Sequence, residues 1–367
     1  MEETNQSTLK ALADAVILIP SLEPDERLPA YIAKLAQSGF GHIVVVDDGS
    51  AESYQPIFTR IGETDPRVKV LHHEVNRGKG VALKTGYRWI QENLPGISGV
   101  ITADADGQHT VPDCIRLAEE LEKGKRALYL GSRDFSLQNV PPKSRAGNRF
   151  TSVLFFLLYG QWLQDTQTGL RAFRREDLEF MIGVEGERFE YEMNVLIACT
   201  RQGLPMIPIT IETVYENENR GTHYHPLRDS MRIFRVILRG FVKFMGVSLL
   251  CFLVDQVLFN VLNLAVFGNG AVKAAQIILI STALARAVSA GLNFALNKSF
   301  VFKLKGHTAG ALARYLILAA GIMLLSAGGV WLLGQIGMSS TVAKLIVDFL
   351  LYFLSYRVQQ KWVFAEK

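Results

Sequence analysis

Asp104 and Asp106 stand two residues apart, after the apolar run Gly99-Val100-Ile101-Thr102-Ala103 and before Gly107-Gln108-His109. At the end of an extended strand, side chains at i and i+2 point the same way, so two hard oxygen ligands face one side of the chain. Such a pair suits Mg²⁺ or Mn²⁺, ions that keep several positions for water and substrate phosphates. Asp and Gly are also ordinary turn residues; taken alone, the turn is the better reading, and the surrounding chain reverses that order. A second acid pair, Asp47-Asp48, ends another apolar run. Asn76-Arg77-Gly78-Lys79-Gly80 opens a helical pattern and reads equally as a phosphate-cradling loop or as a tight turn.

The elements that must position these groups show as alternating runs. Apolar runs at 15–20, 42–46, 68–72, 100–102 and 127–131 predict five buried strands, with helical patterns at 27–37, 80–93 and 112–123 between them. Uninterrupted Val/Ile/Leu strands alternating with helices predict an α/β domain with a mostly parallel sheet covered on both faces. Ligands of such sheets sit beyond the strand carboxyl ends, where both acid pairs fall. Residues 141–149 then read as a basic, broken stretch running into 153–159. That segment is too short to cross a bilayer; it is either a core helix or an interfacial one, with Tyr159 and Trp162 at the headgroups. A polar loop from 165 enters an edge strand, 189–201 is a helix bearing Glu190 and Glu192, and 207–214 is a last strand.

At 367 residues the chain has room for two domains. Residues 1–239 carry 28 Lys+Arg against 32 Asp+Glu, whereas 240–367 carry 11 against 3, so the net charge of +4 arises in the C-terminal third. The N-terminal part therefore shows no basic nucleic-acid footprint. Cys114, Cys199 and Cys251 lack metal-ligand spacing and read as packing residues in a reduced compartment. Nothing in residues 1–10 reads as a signal peptide.

Residues 226–240 read as a hinge with Arg228, Arg232, Arg235 and Arg239 on one stripe of a lipid-surface helix. Four apolar stretches follow at 241–267, 274–296, 311–333 and 342–356, each close to or beyond the ~20 residues that span a hydrocarbon core. Lys298, Lys303, Lys305 and Arg314 lie between the second and third, and Arg357, Lys361 and Lys367 follow the fourth. The positive-inside rule then puts both termini and the N-terminal domain in the cytoplasm. Asp255 and Arg286 fall at similar depth in the first two spans and should pair. Asn297–Phe302 after span two echoes residues 360–364 after span four, a weak two-plus-two repeat.

At this point the chain resembles a known family along almost its whole length. Val46-Asp47-Asp48-Gly49-Ser50, Asn76-Arg77-Gly78-Lys79-Gly80, Asp104-Ala105-Asp106-Gly107-Gln108-His109, Gly131-Ser132-Arg133 and Asp165-Thr166-Gln167-Thr168-Gly169 occur in the order of a family 2 glycosyltransferase of the dolichyl/polyprenyl-phosphate sugar synthase type. Residues 240–365 resemble a GtrA-type membrane domain of four spans. The resemblance implies a GT-A catalytic domain over 1–225, a basic juxtamembrane helix over 226–240 and an all-α membrane domain over 241–367. It implies an inverting, metal-dependent transfer from a nucleotide sugar to polyprenyl phosphate at the cytoplasmic face. Pro20, Val46 and Asp48 would meet the nucleotide, Asp104 and Ala105 the ribose and diphosphate, and Asp104, Asp106 and Gln108 the Mg²⁺ or Mn²⁺. Asp104, Asp106 and Arg133 would carry catalysis. Arg133, Arg145 and Arg149 would take the acceptor phosphate, while Arg220 and His223 close over the diphosphate. The nucleophile, a phosphate oxygen, is already ionised, so no general base is required; Glu190 and Glu192 stay open as candidates.

One departure is plain: family members commonly show Pro-x-Tyr-Asn-Glu where this chain has Pro20-Ser21-Leu22-Glu23-Pro24-Asp25. It leaves the donor open between UDP- and GDP-linked sugars. Homo-oligomeric assembly is also left open. Two rival readings are a lipid-linked-sugar flippase with a regulatory nucleotide-binding domain and a processive polysaccharide synthase. The second lacks a Gln-x-x-Arg-Trp element, and a dinucleotide oxidoreductase lacks Gly-x-Gly-x-x-Gly after the first strand.

Overall fold

The computed structural model describes residues 2–137, 140–212, 226–262, 274–302, 304 and 308–364. The chain divides into two compact units, Met1–Ile237 and Leu238–Lys367.

In the first unit the strands are β1 (Ala15–Ser21), β2 (His42–Asp47), β3 (Val68–His72), β4 (Gly99–Thr102), β5 (Leu128–Arg133), β6 (Arg171–Arg174) and β7 (Met206–Ile211). They form one sheet in the order β3-β2-β1-β4-β6-β5-β7. Only β6 runs antiparallel, against β4 and β5. The helices are α1 (Glu2–Asp14), α2 (Arg27–Gln37), α3 (Gln55–Thr64), α4 (Lys79–Asn93), α5 (Val111–Glu122), α6 (Pro142–Tyr159), α7 (Leu178–Gly183) and α8 (Glu190–Gln202). The mostly parallel α/β expectation is met, because Val16 through Ile19 and Ile43 through Val46 are buried on both faces. Each such side chain contributes about 1.5–3 kcal/mol on leaving water.

Register sets the site. Pro20 lies beside Val46 and Ser21 beside Asp47 across β1 and β2, while Leu18 lies beside Thr102 across β1 and β4. The Ala103 N–H donates to the Leu18 carbonyl at 3.0 Å, which brings the following Asp104 out at the same carboxyl edge.

The stretch read as broken, 141–149, is helical: α6 starts at Pro142, where a first-turn residue needs no N–H, and ends at Gly160 with φ +76°. Tyr159 is buried and its hydroxyl donates to the Ile237 carbonyl at 2.9 Å, so the expected headgroup position does not hold for it. Trp162 is exposed, as are Phe150, Val153, Phe156 and Leu157 on α6. The 226–240 segment is helical, the first part of α9 (Pro226–Val261), and the boundary between the two units falls within it.

In the second unit, the described helices are the rest of α9, then α10 (Ala274–Leu296), α11 (Thr308–Gln335) and α12 (Ser340–Val358). Among the described residues three helices are long and apolar enough to cross a membrane: Met231–Val261, Ile278–Val301 and Thr308–Gln335. The expected fourth span falls on α12, whose 19 residues include Lys344, Asp348 and Arg357; those charges separate it from the other three. Lys344 and Asp348 pair at 2.7 Å, and the Ser326 hydroxyl of α11 donates to Asp348 at 2.6 Å. The repeat has a physical form: π-helical turns at Asn297–Val301 and Gln359–Val363, with Phe302 stacked on Phe364 at 5.1 Å. The Asn297 amide donates to Gln359 Oε1 at 3.2 Å, which aligns Asn297 with Gln359.

Asp255 is buried beside Ser289, whose hydroxyl donates at 3.0 Å, and Arg286 Nε lies 3.6 Å from the same carboxylate oxygen. Arg286→Gln should therefore lower the yield of folded protein, by leaving a buried carboxylate held by one hydroxyl. Adding Asp255→Asn should restore part of it, since Asn still accepts from Ser289. Monodisperse protein recovered in detergent is the readout; a double variant no better than Arg286→Gln would contradict the pairing.

Candidate active site

Asp104 stands two residues past the end of β4, and its backbone N–H donates to His109 Nδ1 at 3.0 Å. The other ring nitrogen, Nε2, faces the Asp104 carboxylate at 3.8 Å. The Asp106 carboxylate accepts the Gln108 N–H at 3.0 Å, closing the turn through Gly107. Thr110 then caps α5 by accepting from the Asp113 N–H. Ala105 packs its methyl against the core.

Lys79 joins this pair from the first position of α4. Its ammonium lies 2.6 Å from Asp104 Oδ1 and 3.0 Å from Glu192 Oε1 of α8. Burial works against every charge here. For Lys79 it is outweighed by Asp104 and Glu192, which hold the ammonium above its ordinary range. Asp104 likewise titrates low despite burial, held ionised by Lys79, His109 and Arg133. Asp106 is pushed up, by burial and then by the negative charge of Asp104. Two carboxylates two residues apart at the sheet's carboxyl edge form a hard oxygen donor set that fits a divalent cation. Among the described residues no three His, Cys, Asp or Glu side chains converge as a metal cage. The fit is therefore to an ion that takes most of its ligands from phosphate and water.

Asp48 has a different environment. Its carboxylate accepts the Arg77 N–H at 3.0 Å and the Gly78 N–H at 2.7 Å, and faces His73 Nδ1 at 2.8 Å. It pins the 76–80 loop from below. Gly78 has φ +100°, and a Cβ there would sit 2.6 Å from the Glu187 carbonyl. The glycines thus serve close packing against the segment before α8, and Lys79 is the loop's reach into the site. Val46 is fully buried within β2.

Arg133, at the end of β5, makes a two-pronged contact with Asp165, Nε to Oδ2 at 2.7 Å and Nη2 to Oδ1 at 3.2 Å. It also lies over the Phe135 ring at 5.2 Å. The Asp165 side chain is 0% exposed and also accepts the Gln167 N–H. Four residues on, a Cβ at Gly169 would fall 2.4 Å from Asp104 Oδ2. The Asp165–Gly169 motif thus fixes Arg133 at one end and crowds Asp104 at the other. Gly169→Ala should displace the Asp104 carboxylate and cut turnover by about tenfold or more while the melting temperature moves little. Unchanged turnover would show that Asp104 tolerates the shift.

Arg145 and Arg149 stand one turn apart on α6, and Arg145 donates to the Leu137 carbonyl at 2.9 Å. Arg220 and His223 lie outside the described residues. Sequence reasoning missed Glu192 as a partner of Lys79, Asp165 as the anchor of Arg133 and His73 beneath Asp48. No local signal could reveal the Lys79–Glu192 contact across so long a stretch of chain.

The sequence matches the glycosyl transferase family 2 profile over residues 16–181 and the GtrA/DPMS transmembrane domain over 243–364. An uncharacterized protein of Methanocaldococcus jannaschii is 32% identical over 213 residues, 56% of this chain and 85% of that protein. The UDP-N-acetylglucosamine–dolichyl-phosphate N-acetylglucosaminyltransferase of Methanococcus voltae is 28% identical over 58% of this chain and 92% of its own length. The polyprenol monophosphomannose synthase of Mycolicibacterium smegmatis is 26% identical over 56% of this chain and 79% of its own. With an α/β sheet that carries this acid pair at its carboxyl edge and long apolar helices later in the sequence, the chain belongs to glycosyl transferase family 2 and is a membrane glycosyltransferase.

Proposed function

We propose that this enzyme transfers one sugar from a nucleotide sugar to polyprenyl phosphate, with inversion, at the cytoplasmic face of the membrane. The observation that carries the reading is the Asp104–Asp106 pair at the sheet's carboxyl edge with Lys79 and Arg133 beside it. Two relatives support the acceptor: their names differ in sugar but share a lipid phosphate. The base of the donor, UDP or GDP, is left to experiment.

Asp104 and Asp106, with Gln108, would hold Mg²⁺ or Mn²⁺, whose charge on the donor diphosphate would ease its departure. Pro20 and Val46 border the nucleotide end of the site, and Asp48 acts through the loop that presents Lys79. Arg133, oriented by Asp165, meets the acceptor phosphate together with Arg145 and Arg149. Arg220 and His223, outside the described residues, are assigned to the diphosphate by the family resemblance alone. An acceptor phosphate oxygen attacks the anomeric carbon from the face opposite the leaving group; the carbon–oxygen bond to the nucleoside diphosphate breaks and the configuration inverts. The acceptor is ionised at neutral pH, so no side chain needs to take a proton. Lys298, Arg314, Arg357 and Lys361 mark the cytoplasmic ends of the helices, and exposed Phe150, Val153, Leu157 and Trp162 enter the lipid interface.

Acceptor-dependent release of nucleotide tests the reaction. Purified protein should liberate UDP or GDP from its donor only when polyprenyl phosphate is added. Movement of a lipid-linked sugar across vesicles with no donor turnover would favour the flippase reading instead.

A further inference from the structure

The Lys79 ammonium sits between two carboxylates that belong to different elements. Asp104 lies at the end of β4 and Glu192 in the first turn of α8, at 2.6 and 3.0 Å. All three side chains are largely shielded, with exposures of 15%, 30% and 13% for Lys79, Asp104 and Glu192. Both backbone anchors are rigid. Gly78, just before Lys79, is pinned by Asp48, and the Glu192 carbonyl accepts from Arg171 Nη1 at 2.7 Å. A lysine stem with four rotatable bonds can swing between such fixed acceptors without moving the loop.

We propose that Lys79 is a two-seat counter-ion: it covers Asp104 in the donor-free enzyme and retires onto Glu192 when cation and diphosphate arrive together, which makes Glu192 a positioning residue. The inference rests on the metal reading above and adds to it an order of binding. With Asp104 Oδ1 covered by an internal cation, a free divalent ion meets Asp106 as its one uncovered carboxylate beside the neutral Gln108, and must also expel an ammonium held at 2.6 Å. A cation arriving with a diphosphate brings negative charge that replaces the one Lys79 surrenders. Glu192 gives the ammonium a place to go at little cost, because that contact already exists. This assignment also gives Glu192 work other than that of a general base.

The test is Mn²⁺ binding by the full-length detergent-solubilised protein, read from the electron paramagnetic resonance of free Mn²⁺, with and without UDP or GDP. The parent should bind Mn²⁺ weakly alone and tightly with one of the nucleotides. Lys79→Met should bind Mn²⁺ alone about tenfold or more tightly than the parent, since a shielded charge a few ångströms from the ion has been removed. Lys79→Arg should show no such gain. Glu192→Gln should weaken nucleotide-supported binding, Glu192→Asp should recover part of it, and the Glu192→Gln effect should vanish in the Lys79→Met background. That last comparison separates action through Lys79 from general loss of negative charge. Where Lys79→Met does not fold, the Lys79→Arg background replaces it, and there the Glu192→Gln effect should persist in full.

A Lys79→Met protein that binds free Mn²⁺ no better than the parent overturns the inference while leaving the metal reading intact. So does a Glu192→Gln effect that persists unchanged without Lys79, or one lost in the Lys79→Arg background. A parent that binds no Mn²⁺ even with either nucleotide removes the metal reading and the inference with it.

Discussion

Asp106→Ala should abolish sugar transfer while the protein remains folded. In the donor-free enzyme burial and the negative charge of Asp104 push the Asp106 carboxyl up. Asp106 also accepts the Gln108 N–H, a turn contact at the surface of the site, and its loss should change the melting temperature little. Turnover should nonetheless fall by about a thousandfold or more, about 4 kcal/mol of transition-state stabilisation. Excess chelator should inhibit the parent to a similar degree. Loss of activity with the fold intact is the signature of a residue retained for chemistry. Full activity in chelator would remove the cation from the mechanism.

Arg133→Ala should have two separable effects. Its partner Asp165 is 0% exposed, so truncation strands a buried carboxylate and should cost about 3 kcal/mol of stability. Acceptor use should weaken as well, by about 1.5–3 kcal/mol for a lost charge-assisted contact to phosphate. Arg133→Ala combined with Asp165→Asn separates them. The double variant should regain most of the stability, as judged by thermal melting, but not the lost dependence on polyprenyl phosphate concentration. Recovery of both would confine Arg133 to a structural role; a selective loss of nucleotide binding would move it to the donor side.

The sheet was legible in the sequence because its central strands β1, β2 and β4 are buried on both faces and read as apolar runs; the partly exposed edge strand Val68–His72 also came out with the bounds it was assigned. The strand Arg171–Arg174 was anticipated from the polar loop before it, but as an edge strand; it lies inside the sheet, paired antiparallel to both β4 and β5. α1 and α3 went unread, because Glu2–Asp14 and Gln55–Thr64 carry mixed polar sequences whose helicity is set by packing. The first half of α6 went unread, though 153–159 was read as helical, because Pro and Gly were taken as breakers where Pro142 is an N-terminal residue. At the site, the acid pair was found from local spacing. The partners that give each group its charge state were not, since Lys79–Glu192 and Arg133–Asp165 are contacts the fold makes between distant segments. Asp48 was assigned to the nucleotide from its motif, yet its oxygens hold Arg77 and Gly78. A carboxylate's partners, unlike its position at a strand end, are invisible to periodicity.

The central claim is the transfer of a single sugar onto a lipid phosphate, and the mass of the lipid product tests it most directly. Purified protein is incubated with polyprenyl phosphate, Mn²⁺ and a panel of UDP- and GDP-linked sugars, and the lipid fraction is weighed by mass spectrometry. The account predicts one new species, polyprenyl phosphate plus one sugar residue, formed with one donor and absent with Asp106→Ala. A ladder of masses spaced by one sugar, or no change in the lipid with any donor, would contradict it.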